Sequence, residues 1–172
     1  MAAPGKTIET RQARDDHPMK FRTATADDLP AIVKLLADDP LGATRERDED
    51  PLPRQYREAF AAMGRMGTNM VILVVEDGGV IGCLQLILIP GLGRLGMTRA
   101  QIEAVRIDRR YRRRGIGEAL IRHAIEHARE QGCGLVQLTT DRSRGDAHRF
   151  YERLGFKASH IGMKLDLAGQ KT

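Results

Sequence analysis

Tryptophan is absent from this 172-residue chain, and four phenylalanines and three tyrosines supply all of its aromatic rings. That scarcity argues against a surface that binds nucleic acid by stacking bases, which draws on several exposed rings. Cysteine is scarce too. Cys83 and Cys133 stand far apart, without the spacing of a disulfide scaffold or a zinc site, and no metal is expected. The longest apolar runs, MVILVV and LQLILI, fall well short of the roughly 20 residues a membrane helix needs. No apolar leader core is visible at the start of the sequence, so a cytoplasmic, reducing setting without a membrane partner is the expectation.

Positive charge is what the chain has in excess. Lysine and arginine number 28 against 23 acidic residues, a formal net charge of +5. Such a balance favours anionic partners, whether nucleic acid, a phosphorylated ligand or an acidic surface, and placement must decide among them. Residues 1–17 are polar and aperiodic and read as a flexible tail. Residues 18–168 read as one domain, with no repeat and no linker.

Within that domain, MKFRTAT alternates as a strand does. TADDLPAIVKLLADD reads as a helix with Thr25 as its N-cap and Ile32, Leu35 and Leu36 on one face. A charged connector leads to a second helix, PLPRQYREAFAAMGRMG. The strands NMVILVVE and VIGCLQLILI then meet at the turn signal DGG. AQIEAVRID is another strand, whose alternation assigns Ile102, Ala104 and Arg106 to one face and Glu103, Val105 and Ile107 to the other. A third helix carries the stripe Leu120, Ile121, Ala124, Ile125 and Ala128, with Gly132 placed to end it. GLVQLTT is a strand and GDAHRFYERLG a short helix. FKASHIGMKLDL closes as one bent strand or two short ones. This order implies an α/β domain with a mixed sheet.

Two glycine-rich stretches compete as phosphate sites. GLGRLG, residues 91–96, matches the dinucleotide fingerprint in letters, but the adjoining MTRAQIEAVRI reads as loop and strand. Without a helix N-terminus there is nothing to hold a pyrophosphate, so the stretch reads as a connector. RRRGIGEAL has the missing context, with a strand leading in and an amphipathic helix leading out. Gly115 and Gly117 would let successive N–H groups converge on one anion, with the helix dipole behind them. The alternative is a plain glycine turn with solvated arginines. No lysine-serine or lysine-threonine pair comes after the glycines, so nucleotide hydrolysis is not supported.

The run Arg112-Arg113-Arg114-Gly115-Ile116-Gly117 resembles the Q/R-x-x-G-x-G/A signature of the GNAT superfamily of acyl-CoA-dependent N-acetyltransferases. IEAVRIDRRYRRRGIGEALIRHAIEHA is similar to that family's fourth strand, pyrophosphate loop and following helix, and GDAHRFYERLGF to its later helix. The resemblance implies an α/β (α+β) single domain with a mixed, mainly antiparallel central sheet flanked by helices. It also implies acetyl-CoA as co-substrate and a primary amine as acceptor. Residue by residue, it assigns the Val105, Arg106 and Ile107 backbone to the pantetheine arm. Arg112, Arg113, Arg114, Gly115, Ile116, Gly117 and Glu118 fall to the pyrophosphate. Tyr151 takes the place of the acid that protonates the leaving thiolate, beside the cofactor, and Glu103 that of the base. Arg144 stands where many members have an asparagine that contacts the cofactor arm, which puts that contact in question. The chemistry is coherent: an ammonium must lose a proton before attacking a thioester, and the departing sulfur gains charge that a phenol can quench.

Several residues keep a plainer reading. His123 and His127 have metal-compatible i, i+4 spacing but no third ligand, and read as solvated. His148 and His160 read as exposed or as candidates for the acceptor site. Asp38, Asp39, Asp48, Glu49 and Asp50 form either an acidic rim for a cationic amine or a solvated charge run. Arg109 and Arg110, with Arg113 and Arg114, exceed what one pyrophosphate needs. Long connectors at 40–53 and 90–98 favour a small-molecule acceptor. Acetylation of a protein amine or of aminoacyl-tRNA remains an alternative, as does a non-enzymatic nucleic-acid-binding domain, which would bind with strong salt dependence. The resemblance also admits a homodimer.

Overall fold

The structure is a computed structural model that describes residues 19–39 and 42–167. The tail expected over residues 1–17 lies outside the described residues. In chain order the strands are β1 (Lys20–Thr23), β2 (Asn69–Glu76), β3 (Gly79–Ile89), β4 (Arg99–Ile107) and β5 (Leu135–Leu138). The helices are α1 (Leu29–Ala37), α2 (Arg54–Met66), the single turn α3 (Gly93–Gly96), α4 (Ile116–Glu130) and α5 (Gly145–Arg153).

The five strands form one sheet in the order β1-β2-β3-β4-β5. Pairing is antiparallel from β1 to β4, while β5 joins β4 in parallel. The result is the mixed sheet the element order implied, mainly antiparallel as the family resemblance implied. Apolar residues in β2 do not alternate because both of its faces are covered. Ile72 and Val74 pack with Leu120, Ile121, Ala124 and Ala128 of α4. Val71 and Leu73 pack with Ile32 and Leu35 of α1 on the other side. Asp77 and Gly78, both with positive φ, make the tight turn from β2 to β3. Gly67 and Gly132 come after α2 and α4 in left-handed conformation, as helix-ending glycines do.

The start of α1 is fastened electrostatically. Asp28 is buried and accepts both Arg22 Nη atoms at 2.7 Å, with the Thr25 N–H at 2.8 Å. That carboxyl is held well below the ordinary range. The Arg22 bond is the main cause, the Thr25 bonds add to it, and burial opposes them.

Two expectations fail. The first is the face assignment on β4. Cys83 pairs with Arg106 but Gln85 with Glu103, so Ala104 and Val105 together stand opposite Leu84. This is a β-bulge, with Ala104 at φ 52°. The extra residue resets the alternation. Ile102, Val105 and Ile107 share the α4 side, while Glu103 and Arg106 share the α1 side. The second failure is the closing strand. Residues 156–167 form no strand, and Ile161, Met163, Leu165 and Leu167 are 72–93% exposed. The pattern of a strand is present, but in the single chain it lies against no sheet.

Candidate active site

A loop and an open strand edge meet where the last two strands of the sheet, β4 and β5, part. β5 pairs with β4 only from Arg99 to Ile102, so residues 103–107 run on without a partner from β5. This leaves backbone groups of β4 free to bond an extended ligand as an added strand would. Beyond Ile107 the chain makes a short turn, in which the Asp108 carboxylate accepts the Arg110 N–H at 2.9 Å. Arg113 (φ 65°) and Gly115 (φ 79°) are both left-handed, and α4 begins at the next residue. Gly115 brings no capping side chain. The N–H groups of Ile116, Gly117 and Glu118 therefore have no intrahelical acceptor, at the positive end of a 15-residue helix. Gly117 departs from expectation. Its φ is not positive, and a Cβ there would meet Ile107 and Phe150 at 3.7–3.8 Å, ordinary contact. Only Gly115 is required by backbone conformation.

The arginine cluster is largely engaged with carboxylates. Asp38, at the end of α1, pairs with Arg109 and with Arg112. Arg112 also donates to the Ile107 carbonyl at 3.0 Å and to the Asp38 carbonyl at 3.1 Å, bracing the loop between β4 and α1. Arg110 holds Asp108, and Arg114 approaches Glu76 at 3.5 Å. The Arg109 bond holds the Asp38 carboxyl low, against burial. Arg113 is exposed.

Asp39 organises the second half of the site. Arg144 donates to both of its oxygens at 2.6 and 2.7 Å, and Arg106 approaches at 3.5 Å. Burial pushes the Asp39 carboxyl up, but the two arginines outweigh it and the net shift is downward. The charges of the same two guanidiniums act on Tyr151 on α5. The Tyr151 ring packs edge-on against Phe150 and Phe156. Burial raises its hydroxyl above the ordinary value, against the pull of Arg106 and Arg144, so the phenol keeps its proton at neutral pH. Arg144 thus places its guanidinium on Asp39.

Across the bulge, Glu103 accepts Gln101 Nε2 at 2.9 Å, and Gln101 in turn accepts Gln137 Nε2 at 2.7 Å. Arg99, Gln101 and Glu103 line one face of β4, opposite the face of the buried Ala100 and Ile102. Beside this polar row lies an apolar cavity of about 170 Å³, lined by Ile32, Val33, Phe60, Met63, Cys83 and Ala104, with Gln85 at its edge. The Cys83 thiol is pushed up to about 12 by burial, so it supplies no thiolate nucleophile there.

Sequence reasoning missed the pairing of Asp38 and Asp39 with the arginines, because the partners lie as far as 105 positions apart. Asp48, Glu49 and Asp50 stay exposed as a solvated run. His123 is exposed, as expected, but is not free of contacts, and His127 is half-buried. His123 stacks on Phe21 with ring centroids 4.5 Å apart, and His127 Nε2 is buried without a partner. Among the described residues, no group of three His, Cys, Asp or Glu side chains could hold a metal. GLGRLG is an exposed turn with Arg94 and Leu95 left-handed, and strand β4 rather than a helix comes after it.

The acetyltransferase (GNAT) family matches residues 29–156, and the chain belongs to that family. It is 30% identical over 156 residues to the aminoalkylphosphonate N-acetyltransferase of Salmonella typhimurium, spanning 90% of this chain and 96% of that one. It is 38% identical over 90 residues to the glucosamine 6-phosphate N-acetyltransferase of Trypanosoma brucei brucei, spanning 52% of this chain and 59% of that enzyme. Among solved structures, a transcriptional regulator from Bacillus halodurans C-125 superposes with a TM-score of 0.84 at 47% identity, over 87% of this chain and 99% of that one. The family uses acetyl-CoA, and the residues here fit it. The uncapped N–H groups of α4 and the open space around Gly115 suit a pyrophosphate, and the free edge of β4 suits an extended arm. Among the described residues, no helix is long and apolar enough to cross a membrane.

Proposed function

We propose that the protein acetylates the primary amine of a small molecule directly from acetyl-CoA, in a ternary complex and in the cytoplasm. The observation that carries this reading is the divergence of β4 from β5 beyond Ile102, beside the left-handed loop that opens α4. Acetyl-CoA supplies the activated acyl group. The backbone of Val105, Arg106 and Ile107 binds its arm, and the N–H groups from Arg113 to Glu118 hold its pyrophosphate. Arg112 keeps that loop in place through its bonds to Ile107 and Asp38. Glu103, directly or through one water, takes the proton that the acceptor ammonium must lose. Tyr151, protonated at neutral pH, donates its phenolic proton to the leaving sulfur. Arg106 and Arg144 add positive potential at that point.

The acceptor side favours an amine that also carries an anionic group. Arg99 shares the Glu103 face, and its buried Nε has no partner. Four residues of strand place it about 13 Å along β4 from Glu103. Two related enzymes act on an aminoalkylphosphonate and on glucosamine 6-phosphate, both small amines with a phosphorus oxyanion. Turnover measured by thiol release should be higher with phosphorylated or phosphonate amines than with neutral ones. Tyr151→Phe should lower kcat more than it raises the KM for acetyl-CoA, and full activity in that variant would remove the phenol as the acid.

The name of the B. halodurans relative gives a second reading, nucleic-acid binding, some weight. It predicts tight, salt-sensitive binding to duplex DNA without acetyl-CoA affinity. The carboxylates already paired with Arg109, Arg110, Arg112 and Arg144 count against it.

A further inference from the structure

The apolar cavity of about 170 Å³ beside Glu103 has no part in the reaction described above. Side chains of α1 and α2 wall it on one side, and residues 83–85 of β3 with the bulge residue Ala104 wall it on the other. Ala104 stands between Glu103 and Arg106, the two β4 residues that the bulge brings to the α1 side. The cavity therefore meets β4 where the proposed base ends and the free strand edge 105–107 begins. Its wall offers little to a polar occupant. Tyr56 Oη donates to Glu46 at 2.8 Å and accepts the Arg47 N–H at 3.0 Å. Gln85 Nε2 donates to Asn69 Oδ1 at 2.9 Å. Cys83 is buried as a neutral thiol, and the other lining side chains are hydrocarbon or thioether. Protein interiors keep few voids larger than a water molecule, so an apolar space of this size beside a reacting centre points to an occupant.

We propose that this cavity receives the carbon chain of an acyl group longer than acetyl, so that the protein also transfers acyl groups of about four to six carbons from the corresponding acyl-CoA. The proposal rests on the reading that the 105–107 backbone holds the cofactor arm. With the pyrophosphate beyond Ile107, that arm runs back along β4, and its sulfur end lies toward Ala104. The sizes agree. An apolar cavity of about 150 Å³ holds the six carbons of benzene. A cavity of about 170 Å³ therefore takes a chain of similar carbon count, whereas an acetyl methyl group leaves most of it empty. The acceptor amine is the poorer occupant, because its path is the polar row from Glu103 to Arg99, which leads along β4 away from the bulge. The chemistry balances as in acetyl transfer. One thioester and one amine give one amide and the free thiol, with the ammonium proton passing to Glu103 and the phenolic proton of Tyr151 to the sulfur.

Titration calorimetry of the full chain with acetyl-, butyryl-, hexanoyl- and octanoyl-CoA tests this with no acceptor present. Each buried carbon is worth about fourfold in affinity. Butyryl-CoA should bind about 15-fold tighter than acetyl-CoA, hexanoyl-CoA tighter again, and octanoyl-CoA no tighter than hexanoyl-CoA, because the cavity is then full. Ala59 lines the cavity from an exposed position on α2, so Ala59→Leu fills part of the space without disturbing the core. That variant should bind hexanoyl-CoA about tenfold more weakly and acetyl-CoA as the wild type does. Equal affinities across the series, or a hexanoyl-CoA affinity that Ala59→Leu does not lower, overturn the proposal and leave the acetyl-transfer reading standing. A flat acyl series with a gain in affinity along n-alkylamines puts the chain on the acceptor and overturns the proposal as well. No affinity for any of the thioesters overturns both readings.

Discussion

Gly115→Ala and Gly117→Ala change two glycines of one loop, yet they should move stability in opposite directions. Gly115 sits at φ 79° with nothing within 4 Å of where a Cβ would stand. An alanine there meets no steric block, and its whole effect is the strain of left-handed backbone, about 1–2 kcal/mol. Gly117 lies in the first turn of α4 without positive φ, and its Cβ would make only ordinary contacts. Alanine there restricts the unfolded chain and favours helix, a gain of about 0.5–1 kcal/mol. At about 2–4 °C per kcal/mol for a domain of this size, Gly115→Ala should lower Tm by roughly 2–8 °C and Gly117→Ala should raise it by roughly 1–4 °C. Differential scanning calorimetry reads both. Titration with acetyl-CoA gives the second half of the test. If the strained loop relaxes by losing its converging N–H groups, about 1–2 kcal/mol weakens binding about 5–30-fold in Gly115→Ala. Equal losses of Tm in the two variants would refute the assignment of the left-handed conformation to Gly115.

Two further predictions rest on single side chains. Asp28 has a folded-state value well below its ordinary 3.8, so its contribution to stability is complete above that value and is lost as pH falls through the folded one. Stability from urea melts should be level above about pH 5 and decline below about pH 4, and Asp28→Asn should cost on the order of 2 kcal/mol at pH 7 and flatten that acid limb; parallel acid limbs in the two proteins would assign the decline to other carboxylates. Cys83 is buried with its thiol raised to about 12, whereas Cys133 is half-buried with a smaller upward shift, so a thiol reagent read by mass spectrometry should label Cys133 first and Cys83 only on unfolding; early labelling of Cys83 would contradict its burial.

Local signals carried most of the fold into view. The turn at Asp77 and Gly78, the α4 stripe from Leu120 to Ala128 and the closing glycines Gly67 and Gly132 each depend on neighbours within a few residues. The loop from Arg112 to Gly117 was legible for the same reason. What escaped was set by contacts between distant segments. Asp38 and Asp39 looked like part of one acidic run, but they reach arginines on β4, on the loop and before α5. The strand pattern at 161–167 was legible as a pattern. Whether it becomes a strand depends on a sheet edge, which periodicity does not supply.

The bulge at Ala104 works like a frameshift in the strand. Upstream of it, odd-numbered side chains face the α1 side of the sheet. Downstream, even-numbered ones do, and Glu103 and Arg106 come to the same side. Substitutions can therefore tune β4 one side chain at a time, whereas an extra residue in β3 opposite Ala104, which would give it a partner and remove the bulge, would rotate the rest of the strand. Arg106 would then turn toward Leu120 and Ile121, and Val105 and Ile107 toward α1. Of all positions in β4, this is the one where an unpaired residue, more than residue identity, keeps charge on the α1 side and hydrocarbon on the α4 side.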